Sequence, residues 1–486
     1  MIAQHPSYSK KFILTIVIPI ISFWTVLFLL GYPIPSIDDL FFTGAAINLA
    51  KGGELTNPLL EAWNSTLVSG KFYLQPPFHS YTLAAWLKIA GVSTTSLRLF
   101  QYLCYNLFSL SCALLLRFYG FPRITALCTT VFFAAWQCNP NFFYSPGFRQ
   151  DALGMAYLAF GLWLLTKDNW WRYFLGFTFL ESAVFTSPVI AAYAASFGFA
   201  IVLINFIYRK QQKSNAKQYL LVRLSALLGG TALTLMLLLL CINFELQVFI
   251  RDFLYHASFR RNSPIFIMTI TQGFGPILWL PTYILFILFA VGIFKKRYLI
   301  PLDKKMLFIA LTLGIILNIY LYSGAILFGF FFCWMGIAAI ILLGKWPYKI
   351  KMFICLVATL IYLTSQSINF VALFGRESLP ASHYKEIKEY VLANPNKKYA
   401  IDSVAARFVF DYKLPKNVID WNFMMPAPAS GPSSIKDKPS NVTGIVSRFL
   451  VGNFVTDAQV DYPRIELLGR KFNSLPKKPF ELIVIP

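Results

Sequence analysis

The sequence predicts an α-helical polytopic membrane protein with about eleven transmembrane helices, juxtamembrane helices on the outer face and a small C-terminal α/β domain. Three observations carry this expectation. Apolar residues make up 57% of the 486 positions and aromatics 17%, against 13% charged, a balance too apolar for an ordinary soluble globule. The apolar residues gather in runs close to the roughly 20 residues that span a bilayer core. The formal net charge of +22 sits in short Lys and Arg clusters between those runs. In a soluble chain such a charge would speak for nucleic acid, but here it reads as topology and no nucleic-acid partner is expected.

In chain order, the candidate spans are 11–30, 97–117, 122–140, 151–166, 170–187, 188–208, 219–243, 273–294, 305–322, 323–343 and 350–372. The first lacks an obvious small-residue cleavage site, so it reads as a retained helix and not a signal peptide. Thr186-Ser187-Pro188 divides one long apolar run into two helices, because Pro disfavours helical geometry before it. With eleven crossings, Lys10-Lys11, Arg117 with Arg123, Lys167 with Arg172, Arg209-Lys210, Lys295-Lys296-Arg297 and Lys345 with Lys349 all fall on one side. That side is the cytoplasm by the positive-inside rule, so the N-terminus is cytoplasmic and the C-terminal region outside, as in a bacterial inner membrane. Residues 78–90 are too few to cross and are expected to lie along the outer surface, with Tyr81 and Trp86 at headgroup depth. The seven cysteines fall in or beside apolar runs without metal-ligand spacing, so neither a disulfide framework nor a zinc site is expected.

These assignments divide the chain into a membrane domain, 1–372, with outer loops at 31–96 and 244–272, and an outer domain, 373–486. In the latter, 383–393 has an amphipathic helix pattern, Asn394-Pro395-Asn396 is a turn, and 399–401 and 481–485 read as strands.

The acidic pair Asp38-Asp39 directly follows the first span, in Ser36-Ile37-Asp38-Asp39. The spacing is that of a capping box, with Ser36 as N-cap and Asp39 at the third helical position. Asp39 then has a structural task, whereas Asp38 is left to face a ligand as a general base for a hydroxyl. A helix-start pair without chemistry fits the same spacing. Gln75-Pro76-Pro77-Phe78-His79 stiffens the approach to 78–90, or is simply a rigid turn. Arg149-Gln150-Asp151 opens a span, where snorkelling is the bland alternative. His256, Arg260 and Arg261 place cations in an outer loop against the positive-inside bias, and guanidinium groups there match a lipid phosphate. Glu181 inside a span lines a cavity or partners a neighbouring helix.

The order of these pieces resembles the GT-C class of membrane glycosyltransferases, in particular the branch of protein O-mannosyltransferases and lipid A aminoarabinose transferases. The resemblance rests on IDDLFFTGAAINLAKGG (37–53), QPPFHSYTLAAWLKIAGVSTTSLRL (75–99) and the Arg-x-Asp at 149–151, and covers roughly 10–210. It implies a GT-C-like fold and inverting transfer of a sugar from a polyprenyl-phosphate donor to an acceptor hydroxyl on a glycan, lipid or protein outside the membrane. The first acid of the pair, here Asp38, is then the base, and Asp151 helps to shape the site. Relatives often carry Lys or another polar group where this chain has Gln75, so a phosphate contact passes to Lys71, His79 or the Arg260/Arg261 pair. No cofactor is expected. A divalent metal would find its ligands among Asp38, Asp39, His79 and Asp151. Two other functions share the sequence features: a transporter or flippase of lipid-linked sugars, and a surface-polysaccharide polymerase or ligase.

Overall fold

The computed structural model describes residues 13–33, 39–58, 70–118, 147–166, 169–209, 216–261, 380–402, 407–421, 444–447, 464–467, 470–473 and 481–484, with isolated helical positions at 313, 349 and 353. These residues are mostly helical. A π-helical turn (Ile13–Val17) leads into α1 (Ile18–Leu29), followed by α2 (Asp39–Ala50) and α3 (Phe78–Ala90). There follow α4 (Thr94–Phe118), α5 (Asp151–Leu164), α6 (Trp170–Val184), α7 (Pro188–Arg209), α8 (Ala216–Cys241) and α9 (Leu246–Arg261). Helices thus occupy the expected spans at 11–30, 97–117, 151–166, 170–187, 188–208 and 219–243. Apart from the isolated positions, the other five lie outside the described residues. One described helix, over Leu221–Cys241, is long and apolar enough to cross a membrane.

Side-chain spacing explains the packing. On α1, Ile20, Trp24 and Leu27 recur at helical spacing and are buried. Trp24 stacks on Tyr105 with ring centroids 4.8 Å apart, and its indole N–H donates to Ser109 Oγ at 3.0 Å, fixing α1 to α4. Arg98 donates to the Phe28 carbonyl and lies over the Phe28 ring, closing the other end of the same contact. α5 and α6 approach backbone to backbone: a Cβ on Gly161 would stand 2.8 Å from the Gly176 carbonyl. Between α6 and α8, Thr231 donates to Glu181 at 2.6 Å, so Glu181 is a helix-packing partner. The expected break is present: α6 ends at Val184, 185–187 turn, and α7 starts with Pro188 at its first position, where a missing N–H costs nothing.

One segment expected as loop is helical. Residues 246–261 were expected as loop and form α9, because Phe249, Phe253 and His256 recur at helical spacing that the interleaved charges obscure. The chain reverses into α9 through Asn243 and Phe244, both at positive φ (51° and 61°). After α2, Asn57 donates to the Leu40 and Phe41 carbonyls at 3.0 and 3.1 Å and so fastens the returning segment onto α2.

In the C-terminal region α10 (Pro380–Ala393) precedes a four-stranded sheet of order β2-β1-β3-β6. Its strands are β1 (Tyr399–Asp402), β2 (Val418–Trp421), β3 (Gly444–Ser447) and β6 (Glu481–Val484). β1 is parallel to β2 and β3, and β6 is antiparallel to β3. β4 (Arg464–Leu467) and β5 (Arg470–Asn473) pair antiparallel. Ile387 and Val391 of α10 pack with Tyr399, Val409, Phe410 and Val418. The helix and the first and last strands stand where the sequence pattern put them.

Candidate functional site

Three stretches far apart in the chain meet in one buried polar layer: the start of α2, residues 75–79 and residues 147–151. Asp39 is fully buried, and its Oδ1 accepts from the Phe148 backbone N–H at 2.7 Å. Gly147 makes that approach possible. It has φ +46°, and a Cβ there would lie 2.4 Å from Asp39 Oδ2. Asp39 therefore holds a backbone donor, as the capping argument anticipated, but the donor lies 109 residues further on. Ser36 and Asp38 lie outside the described residues.

Asp151 opens α5 and is buried. Ser187 donates to its Oδ1 at 2.6 Å and Arg149 Nε to its Oδ2 at 2.8 Å. The Arg149 guanidinium also lies 4.8 Å from the centre of the Phe42 ring, and Gln101 donates to the Arg149 carbonyl at 3.1 Å. Arg149 is thus shared between an acid and an aromatic face. Gln75 is buried and bridges two elements: its Oε1 accepts from Gln150 at 2.7 Å, and its amide nitrogen lies 3.0 Å from His256 Nε2. With Gln75 donating, His256 accepts. The His256 ring stacks on Phe41 with centroids 5.5 Å apart.

His79 is buried on α3 and hydrogen-bonds the Phe42 backbone, while its Nε2 has no hydrogen-bond partner among the described residues. The bonded nitrogen is therefore Nδ1, a donor to a carbonyl. Burial pulls the His79 pKa down to about 4, against the opposing charge of Asp151. At neutral pH the ring is uncharged and offers a lone pair, which suits a hydroxyl and not a phosphate oxygen.

Lys71 is held elsewhere. Its ammonium lies 2.7 Å from Glu245 Oε1, and the Tyr73 hydroxyl lies 2.9 Å from both Glu245 Oε2 and the Ile242 carbonyl. Lys71 and Tyr73 hold the Glu245 carboxyl below its usual range. Burial, then Glu245, pushes the Tyr73 phenol up. Arg260 and Arg261 are the last two residues of α9.

Sequence reasoning missed Gln101, Gln150, Ser187, Glu245 and Tyr412. Gln150 and Ser187 stand inside the Arg-Gln-Asp and Thr-Ser-Pro signals that were already noticed. Tyr412 carries no local signal. Its hydroxyl reaches Thr43 Oγ1 at 3.5 Å, and Thr43 in turn donates to the Asp39 carbonyl at 2.5 Å. Burial pushes the Tyr412 phenol up, with Asp39 adding to the effect.

The described residues do not fit a metal. The Asp39 and Asp151 carboxylates accept from Phe148, Ser187 and Arg149. Among the described residues no three His, Cys, Asp or Glu side chains group to hold an ion. What the layer does offer is neutral hydrogen bonding, from two amides and an uncharged imidazole, beside a clamped acid. No family model, curated protein or solved structure matches the chain.

Proposed function

We propose that this chain is an inverting membrane glycosyltransferase that moves a sugar from a polyprenyl-phosphate donor to an acceptor hydroxyl outside the membrane. The observation that carries the proposal is the convergence of the three motif stretches. Asp39 bonds the Gly147–Phe148 turn, Gln75 bonds Gln150, and His79 feels the charge of Asp151. Asp38 is the residue next to Asp39 in sequence. In the step proposed, the acceptor oxygen bonds the anomeric carbon as the carbon–oxygen bond to phosphate breaks. The hydroxyl proton passes to Asp38, and the electron pair leaves with the phosphate. Arg260 and Arg261 are the groups assigned to that growing charge. The buried amides and His79 receive sugar hydroxyls.

The test uses the full chain in lipid nanodiscs with a short-chain polyprenyl-phosphate hexose. Asp38→Asn is expected to lower release of polyprenyl phosphate by about 10²–10⁴-fold while donor binding persists. Asp39→Asn should be milder. Arg260→Ala and Arg261→Ala should chiefly weaken donor binding. Turnover by Asp38→Asn equal to the parent would end the proposal, and donor translocation without bond cleavage would assign a flippase instead.

A further inference from the structure

α9 sorts its residues into three faces. Phe249 and Asp252 are buried, and His256 beside them joins the polar layer through Gln75. Next around the helix come Leu246, Ile250 and Leu254, four residues apart and 43%, 45% and 57% exposed. Beyond these stand exposed Gln247, Arg251 and Ser258, with Arg251 paired to Asp252 at 2.8 Å. The position of α9 along α8 explains this pattern. The apolar stretch Leu221–Cys241 has 21 residues, about 30 Å at helical rise and so close to the thickness of a bilayer core. Its exposed Leu221, Leu228, Leu235 and Leu240 face away from the other helices. α9 starts within a single tight turn of Cys241, after the exposed Phe244. Tyr81 donates to the Cys241 carbonyl and Tyr73 to that of Ile242, each at 2.9 Å, so the end of α8 and the turn into α9 are fixed to the segment 70–90.

We propose that α9 lies in the plane of the bilayer surface, with Leu246, Ile250 and Leu254 sunk in the boundary between acyl chains and headgroups. Lipid is the occupant because the apolar stripe continues the exposed face of α8 and is bordered by a polar edge. That is the arrangement of an interfacial helix. The same helix walls the polar layer through His256, so a lipid-borne substrate reaches the layer along α9 without leaving the bilayer. This last consequence rests on the glycosyltransferase proposal, whereas the lipid contact does not.

The test places a photoreactive benzophenone side chain at Ile250 or Leu254, with Leu228 and Leu235 of α8 for comparison and Lys397 as an exposed control. The full chain is irradiated in nanodiscs of phosphatidylcholine and phosphatidylglycerol and adducts are read by mass spectrometry. Lipid adducts at 250 and 254 are expected at least about tenfold above the yield at 397. Peptide adducts from this chain or a second copy at 250 and 254 would overturn the proposal, as would lipid adducts confined to 228 and 235. No lipid adduct on α8 would remove its crossing and the proposal with it. Lipid adducts in a chain that turns over no polyprenyl donor would support the placement of α9 and count only against the enzyme.

Discussion

At the scale of the residue, the Asp39 carboxylate and the Gly147–Phe148 turn are built for each other. A side chain at Gly147 meets both backbone strain and the carboxylate, whereas Gly52, at φ +86°, has nothing within 4 Å of its would-be Cβ. Both Gly→Ala changes incur the left-handed strain of about 1–3 kcal/mol, but only Gly147→Ala must also push Asp39 off Phe148. Equilibrium unfolding should therefore show a clearly larger loss at 147 than at 52, and equal losses would mean that the Asp39 contact contributes nothing. His79 makes a second prediction, in pH. Its pKa is lowered in the fold from 6.5 to about 4. Below 6.5 the unfolded chain therefore takes up a proton that the folded chain refuses. Stability from this group is complete above about 6.5 and falls as pH drops toward 4, by about 1.4 kcal/mol per unit at most. Subtracting the curve of His79→Gln from that of the parent should isolate this slope. A flat difference would mean that the ring is solvated. Gln75 is a position that a Lys could not fill. Its carbonyl oxygen accepts from Gln150, and an ammonium has no acceptor to offer.

At the scale of the element, the α8–α9 turn depends on groups that approach from residues 71–73. The Tyr73 hydroxyl shares one proton between Ile242 and Glu245, and Lys71 closes the other side of the carboxylate. Tyr73→Phe should destabilise the turn by about 1 kcal/mol, with faster amide exchange at 242–246. Glu245→Gln keeps an acceptor for Tyr73 and should disturb the turn less, an order that hydrogen exchange can check. The elements also show what a sequence reveals. Long apolar runs such as 97–117 and the Pro-marked break at 188 were legible because hydrophobic length and a missing N–H act locally. α9 was not, since its three faces mix apolar, polar and charged residues within each turn, and charge suggested loop. The pairing of β1 with β2 and β3 was equally hidden, because register is settled between segments and not within them. In the site, Asp39, Gln75, His79, Arg149 and Asp151 were visible as motif members. Their assignment to partners was not, since Phe148 for Asp39 and Ser187 for Asp151 are choices made by packing.

At the scale of the molecule, the C-terminal region is joined to the helices beside the polar layer. Within 407–412, Val409 and Phe410 stay in the core beneath α10, while Phe408 and Tyr412 pack on the helices. Phe408 is buried in the helical core, with its ring 5.2 Å from that of Phe148. Thr94, at the start of α4, donates from its hydroxyl to the Phe408 carbonyl at 2.5 Å and from its amide to Asp411 Oδ1 at 3.0 Å. Lys388 of α10 holds the other Asp411 oxygen at 3.1 Å. The turn that Asp39 grips is therefore supported from its far side by a residue 260 positions later in the chain, since Phe408 backs Phe148. Phe408→Ala removes a buried ring, a change that costs about 3–5 kcal/mol in a packed core, and the loss should spread along these bonds. Amide exchange is expected to accelerate at Thr94 and at Phe148, whose N–H groups donate to Asp411 and Asp39, as well as within 407–412. The proposed sugar transfer should fall with donor binding retained, because the anchor at Asp39 loosens while α9 is untouched. Acceleration confined to 380–421, with Thr94 and Phe148 exchanging as in the parent, would make the C-terminal region a passenger on the helices.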